Sequence, residues 1–230
     1  MIPKCRLCST TSTTMVLDLG FTPRADGFLS KEKLQEPETY YPLQLVRCDH
    51  CFHLQLSYVV PATVLYDSEY PYESSITMTG RNHFDAFAKS LVEEEGLSED
   101  DLVIDIGSNV GVLLNGFSQR GCRVLGFEPV KKLSDIANRD GILTVNHFFS
   151  SATARDVAET YGNARVITAT NVFAHIDDLD DAIRGVDLLL AENGIFVVEA
   201  PDLTHLLSRL EYDTIYHEHL SYFSLTPLVP

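Results

Sequence analysis

Positive charge is scarce in this chain. Its 230 residues carry 17 Lys and Arg against 33 Asp and Glu, a formal net charge of −16. A surface so acidic repels phosphate backbones and anionic lipid heads. It excludes general nucleic-acid or membrane-surface binding and leaves only a local basic pocket for a small anion. Long apolar runs are missing as well, since no stretch approaches the roughly 18 uninterrupted apolar residues that span a bilayer. The opening Met1-Ile2-Pro3-Lys4-Cys5 lacks the apolar segment of a secretory signal. A cytoplasmic setting with reduced thiols is the expectation. Beyond a short Ser/Thr run at 9–14 there is no low-complexity tract, and there is no internal repeat.

Apolar residues are plentiful, at 45% against 22% charged, the composition of a packed globular protein. The length suits one domain of roughly 150 residues plus a smaller module, with a core that needs no covalent staples.

Four of the five cysteines fall in two C-x-x-C pairs, Cys5 with Cys8 and Cys48 with Cys51. In a reducing compartment such pairs point to metal before disulfide. Zinc takes four ligands in a tetrahedron, and each C-x-x-C turn aims two thiolates at one ion about 2.3 Å away. Four thiolates leave no open position for catalysis, so the expected ion is structural. Inert buried thiols or a redox pair is the bland alternative. His50 and His53 near the second pair are bystanders on this reading, and Cys122, opening a strand, is a core residue.

Turn formers dominate residues 1–60, which carry too few periodic apolar faces to build a core alone. They are expected to form the zinc module. Residues 61–96 read as a connecting segment, aromatic and polar from Tyr66 to Ser75. A helical pattern follows through Phe84, Phe87, Ala88, Leu91 and Val92, ending at Gly96. From 97 to 230 strand and helix patterns alternate. Strands are expected at 102–107, 122–128, 141–146, 164–170 and 194–200, with helices at 112–119, 133–139, 152–161 and 178–192. Near-continuous apolar strands alternating with helices predict an α/β fold, a doubly wound parallel sheet covered on both faces.

The first of these strands ends in Asp105-Ile106-Gly107-Ser108-Asn109-Val110-Gly111. A dinucleotide fingerprint needs Gly or Ala at position 112, where this chain has Val112. The spacing D-x-G-x-N-x-G instead resembles the E/D-x-G-x-G-x-G loop of S-adenosylmethionine (SAM) methyltransferases. Asn109 stands for the middle glycine and tolerates left-handed backbone angles. Glu128, in Gly126-Phe127-Glu128-Pro129 at the tip of the second strand, is placed to accept both ribose hydroxyl protons. Asp105, Gly107, Ser108, Asn109, Gly111, Glu128, Pro129 and Asn171 are therefore the expected cofactor contacts. A tight turn followed by a solvated acid is the bland alternative. Phe148 and Phe149 could flank an adenine, but core packing is the stronger expectation for both.

Further segments match one family. Tyr216-His217-Glu218-His219-Leu220-Ser221-Tyr222-Phe223-Ser224 looks like its Y-H-E-H signature. Leu43-Gln44-Leu45, Gly-Phe-Glu-Pro at 126–129, Asn171-Val172-Phe173-Ala174-His175 and Tyr70-Pro71-Tyr72 ahead of Ser74-Ser75 also match. The chain thus resembles, over essentially its whole length, the zinc-containing SAM-dependent sugar C-methyltransferases. That resemblance implies a Rossmann-like class I methyltransferase domain behind a zinc module, with SAM and structural Zn2+ as cofactors. It also implies methylation of a ring carbon beside the ketone of a nucleotide-linked 4-keto-deoxysugar. His219 becomes the general base, with an ordinary pKa near 6.5 that suits neutral pH. Tyr216 and Tyr70 become hydrogen-bond partners of the ketone or sugar. Glu218 is implied to orient His219 or bind the sugar, and His175 to position the substrate. His217 stays open between a supporting role and none.

Two departures stand out. Val110 occupies a position often acidic in the family, and family members continue for more than a hundred residues beyond the Y-H-E-H segment. The chain is therefore expected to be a fragment lacking the C-terminal domain. Its fifth strand would be an open edge, through which a homodimer could form. O- or N-methylation with the same loop, or a zinc- and SAM-binding chain without turnover, are the rival expectations.

Overall fold

Two sheets organise the chain in the computed structural model, which describes residues 4–228. They belong to two compact units. The first takes the chain up to Tyr70, Phe173–Asp180 and everything from Ala200 on; the second takes Pro71–Val172 and Asp181–Glu199.

In the first unit an antiparallel sheet runs in the order β1 (Thr13–Thr22), β2 (Tyr41–Cys48), β3 (Leu54–Leu56), then a late strand, Ser221–Tyr222. That last pairing, Leu54 with Tyr222 and Gln55 with Ser221, brings the two ends of the chain's sequence into one sheet. The core explains why. Leu43, Leu45, Leu54 and Leu56 of the N-terminal strands are buried together with Leu206, Ile215, Leu220 and Tyr222. The N-terminal segment is indeed too poor in apolar faces to close a core by itself, and residues 200–228 supply the missing half. The sequence reading groups those residues with the cofactor domain; in the structure they pack with the zinc module. Strand periodicity reports which residues face inward and carries nothing about which distant segment meets them. Short helices α1 (Ala62–Leu65), Leu203–Arg209 and Leu225–Leu228 also belong to this unit.

The second unit opens with α2 (Met78–Glu95), capped by the Thr77 side chain and closed at Gly96 in the left-handed region. Then come β4 (Leu102–Ile106), α3 (Val112–Ser118), β5 (Arg123–Phe127), α4 (Lys131–Arg139), β6 (Thr144–Val145), α5 (Ser151–Tyr161) and β7 (Ala164–Thr170). α6 (Leu179–Leu189), which begins in the first unit, and β8 (Leu190–Glu199) follow. The five strands are parallel and ordered β6-β5-β4-β7-β8, with the first strand central and a switch between β5 and β7. All five residues of β4 are buried, so both faces of the sheet are covered.

Two strands depart from their expected bounds for local reasons. The third is only two residues long, because the Asn138 side chain holds both the N–H and the C=O of Thr144 and Gly141 turns at φ +85°. The fifth starts early, but its ladder jumps from Leu190 opposite Ala164 to Ile195 opposite Val166. Regular pairing therefore begins at Ile195, close to the expected position 194. Among the described residues no helix is long and apolar enough to cross a membrane.

Candidate functional site

The four cysteines converge. Cys5 Sγ lies 3.6 Å from Cys51 Sγ and Cys8 Sγ 3.5 Å from Cys48 Sγ, with all four sulfurs within 4.8 Å of one another. A tetrahedron with arms of about 2.3 Å has sulfur–sulfur edges of about 3.8 Å, so the cage is of zinc size. Burial raises the Cys48 thiol, but N–H groups of Cys51 and His50 and the neighbouring sulfurs outweigh it and bring it down to about 7. Burial raises Cys5 and Cys51 instead, and since a metal binds thiolate, its binding would displace their protons. The fold builds this cage by seating Cys48 at the end of β2 and by hydrogen-bonding Arg6 N–H to Gln55 Oε1. His53 takes no part: its Nε2 lies 3.2 Å from Ser221 Oγ and its ring packs on Phe223. Cys122 is buried in the core of the second unit.

In the second unit the glycine loop wraps the tip of β5. Gly107 and Ser108 N–H both donate to Phe127 C=O, at 2.9 and 3.0 Å. Gly107, Asn109 and Gly111 sit at φ +71°, +53° and +78°, so Asn109 takes the left-handed role expected of it. A Cβ on Gly107 would lie 2.7 Å from Val172, so the backbone there can only be bare. The Asn109 side chain fixes the preceding segment, accepting Ser74 N–H at 3.0 Å and donating to Tyr72 C=O at 3.2 Å.

Glu128 is buried at that tip. Its Oε2 accepts Asn109 N–H at 3.0 Å and its Oε1 accepts Val130 N–H at 2.7 Å, which ties the loop to the second strand. Each oxygen keeps a lone pair for another donor. Burial pushes Glu128 up to about 7 against the pull of those two N–H groups. Pro129 follows, with its C=O and that of Glu128 held by Asn146 Nδ2. Asp105 is fully enclosed, pushed up to about 7 by burial, with Oδ1 accepting the Thr168 hydroxyl at 2.7 Å. Asn171, left-handed at the end of β7, donates its N–H to Glu199 C=O and its Nδ2 to Glu199 Oε1; Glu199 also meets His83 at 2.7 Å. Ser108 Oγ is buried without a hydrogen-bond partner among the described residues. An orphaned hydroxyl, a bare left-handed loop and a buried carboxylate with spare lone pairs fit a nucleoside-bearing cofactor. Phe149 packs edge-on against Phe127, the core role, while Phe148 is exposed.

The five expected catalytic residues fall in the first unit and form one connected set. Tyr70 O–H donates to Glu218 Oε2 at 3.3 Å. Glu218 is raised to about 7 by burial and the nearby Asp26 carboxylate, and burial and Glu218 push the Tyr70 phenol up. Tyr216 Oη lies 2.9 Å from His219 Nε2, and His219 Nδ1 lies 2.7 Å from Thr214 C=O. A carbonyl only accepts, so Nδ1 carries the proton; burial lowers the His219 pKa, so the ring is neutral and Nε2 accepts the Tyr216 hydroxyl. His175, at the end of a short 3-10 turn, stands 5.1 Å from His219 ring to ring. Burial, then His219, lowers it to about 3.

Tyr66 completes the set, and sequence reasoning missed it. Its Oη lies 2.8 Å from His175 Nδ1 and its ring meets Tyr70 at 5.2 Å, edge on. The only signal was its place in the aromatic stretch that opens at residue 66. Thr214, Thr168, Asn146 and Glu199 were equally silent. His217 is buried with its ring edge-on to Tyr41.

A sheet ordered 3-2-1-4-5 with a glycine loop after its first strand and an acid after its second is the architecture of SAM-dependent methyltransferases. Comparison with known proteins agrees. Residues 81–229 match the family described as methyltransferase domain, and residues 5–66 match a zinc binding domain. The chain belongs to the methyltransferase-domain family, with SAM as its cofactor and a four-cysteine zinc module at its N-terminus. Over 227 residues it is 37% identical to the C-methyltransferase NovU of Streptomyces niveus, covering 99% of this chain and 54% of that protein. The chain thus spans about half the length of this curated relative. Among solved structures, the plantazolicin methyltransferase BpumL in complex with SAH overlays 64% of this chain and 59% of its own at a TM-score of 0.50 and 12% identity, a likeness of fold.

Proposed function

We propose that this chain catalyses, or carries the catalytic half of a protein that catalyses, methyl transfer from SAM to the carbon beside the ketone of a nucleotide-activated keto-deoxysugar. One observation carries the reading: His219 is held as a neutral base by Thr214, with its lone pair against the Tyr216 hydroxyl. An acceptor carbon beside a carbonyl must lose a proton before it can be methylated, and a neutral imidazole is the group suited to take it. N-methylation of a neutral amine needs no such base; a hydroxyl oxygen does lose its proton on methylation, so the position of the label in the test below separates carbon from oxygen. The likeness to NovU, named a C-methyltransferase, supports the same choice.

SAM supplies an electrophilic methyl group whose bond to sulfur breaks with the electron pair staying on sulfur. Asp105, Gly107, Ser108, Asn109, Gly111, Glu128, Pro129 and Asn171 are the residues proposed to hold it, with Asp105 fixed by the Thr168 hydroxyl of the neighbouring strand. On the acceptor side the proton leaving carbon goes to the Tyr216 oxygen as Tyr216 passes its own to His219 Nε2. Glu218 and Tyr70 hold sugar hydroxyls. The zinc staples the first unit and takes no part in the chemistry, its four thiolates filling the coordination sphere.

The test is incubation with SAM labelled on its methyl group and a panel of nucleotide-linked 4-keto-deoxysugars. The label is expected on a ring carbon in the NMR spectrum of the product. Label on oxygen or nitrogen, or tight SAM binding with no transfer to any keto sugar, would overturn the reading.

A further inference from the structure

Tyr66 and His175 form a contact between segments more than a hundred residues apart, and neither the base nor the cofactor loop needs it. His175 Nδ1 is engaged by Tyr66 Oη at 2.8 Å, whereas its Nε2 is buried with no hydrogen-bond partner among the described residues. Two proton arrangements are possible for a neutral ring, and chemistry selects one. Imidazole nitrogen is far more basic than a phenol oxygen, so the phenol donates and Nδ1 accepts. The single ring proton then sits on Nε2, where it is a buried donor without an acceptor. Unpaired buried N–H groups are rare because they forfeit a water hydrogen bond, and a ligand oxygen is the remedy that a site offers.

We propose that Tyr66 is a positioning residue: by donating its O–H to His175 Nδ1 it fixes the ring proton on Nε2, and that N–H serves as the donor for the carbonyl oxygen of the methyl acceptor. The substrate half of this inference rests on the function proposed above; the tautomer half does not. When the acceptor carbon gives its proton to the Tyr216–His219 pair, the electron pair left behind spreads onto the carbonyl oxygen. A donor already aimed there stabilises that charge without reorganisation. Burial keeps His175 neutral, down to about 3, so it donates a hydrogen bond and does not compete with His219 for the proton. The neighbouring rings serve this arrangement: Tyr66 lies nearly parallel to His175 at 6.2 Å and is buttressed by Tyr70.

The experiment is nitrogen-15 NMR of the whole chain, with labelled histidine, at neutral pH. His175 is identified as the signal lost in His175→Gln. It is expected as the Nε2–H tautomer, and an Nδ1–H tautomer overturns the proposal. In Tyr66→Phe the Nε2–H signature is expected to give way to an averaged or Nδ1–H pattern; its persistence overturns the role of Tyr66. With a keto-sugar nucleotide, Tyr66→Phe is expected to lower kcat about tenfold with KM within about twofold, and His175→Gln about a hundredfold. An unchanged kcat overturns the donor role. A chain that methylates no keto sugar would sink the function proposed above, while the NMR readouts would still decide the tautomer.

Discussion

The two units bury different ionisable groups at their sites, although one carboxyl of the first, Glu218, is raised like those of the second. In the second, two carboxyl groups, Asp105 and Glu128, are enclosed at the end of a parallel sheet and pushed up to about 7. In the first, two imidazoles, His175 and His219, are enclosed between irregular segments and pushed down. Burial is the largest cause in all four, since it penalises whichever form is charged. The consequences differ because the partners differ. Backbone N–H groups grip Glu128, so it remains an acceptor poised for further donors. A carbonyl and two phenols grip the histidines, which leaves one as a base and the other as a neutral ring. The support differs too: a regular five-strand sheet organises the second unit, whereas the first relies on a metal cage and a strand contributed from far along the chain.

The sharpest way to break this contrast is to remove the metal. Structural zinc contributes about 10–16 kcal/mol in small modules, as much as the whole stability of a domain. Chelation, or Cys48→Ala, is expected to abolish methyl transfer while SAM affinity, measured by calorimetry, changes less than about threefold. Equal loss of both would show that the second unit depends on the first. Next in size is His219→Ala, which deletes the proposed proton acceptor. A loss of about 10²–10⁴ in kcat is expected with SAM affinity retained, and unchanged turnover would remove His219 from the mechanism.

Glu128→Ala tests the opposite unit. It deletes a charged acceptor and frees Asn109 N–H, so the SAM dissociation constant is expected to rise about 10–100-fold, from a loss of roughly 1.5–3 kcal/mol per hydrogen bond to a charged group. An unaltered constant would take Glu128 out of the cofactor site. The smallest effect is a pH dependence. Asp105 keeps its proton in the folded chain up to about 7 but loses it near 4 when unfolded. Its contribution to stability is therefore full below about pH 4 and is lost as pH rises through 7. Between pH 5 and 8 the thermal midpoint of the chain without SAM is expected to fall relative to that of Asp105→Asn, a comparison in which the opposing contribution of the buried histidines cancels. A slope of the same size in that variant would show that Asp105 does not hold its proton.

Much of this was readable before any fold was seen. The two C-x-x-C pairs, the five strands and the glycine loop with its left-handed Asn109 are short-range patterns, and α2 ends at Gly96 as its spacing required. The shortened third strand was hidden because the competing bonds come from Asn138, a side chain with no distinctive signal. Tyr66 was hidden for a different reason: its partner, His175, is 109 positions away.

Periodicity and ligand spacing act over a few residues, so the sequence alone determined the strand–helix alternation, the zinc ligands, the class of cofactor loop and the acid at position 128. Tertiary structure decided that residues 200–228 share a core with the N-terminal strands, which nitrogen of His219 carries its proton, and which carboxyl groups are pushed up toward neutral pH. Those outcomes depend on what surrounds a group in space, and burial and hydrogen-bond partners are fixed only when distant segments meet.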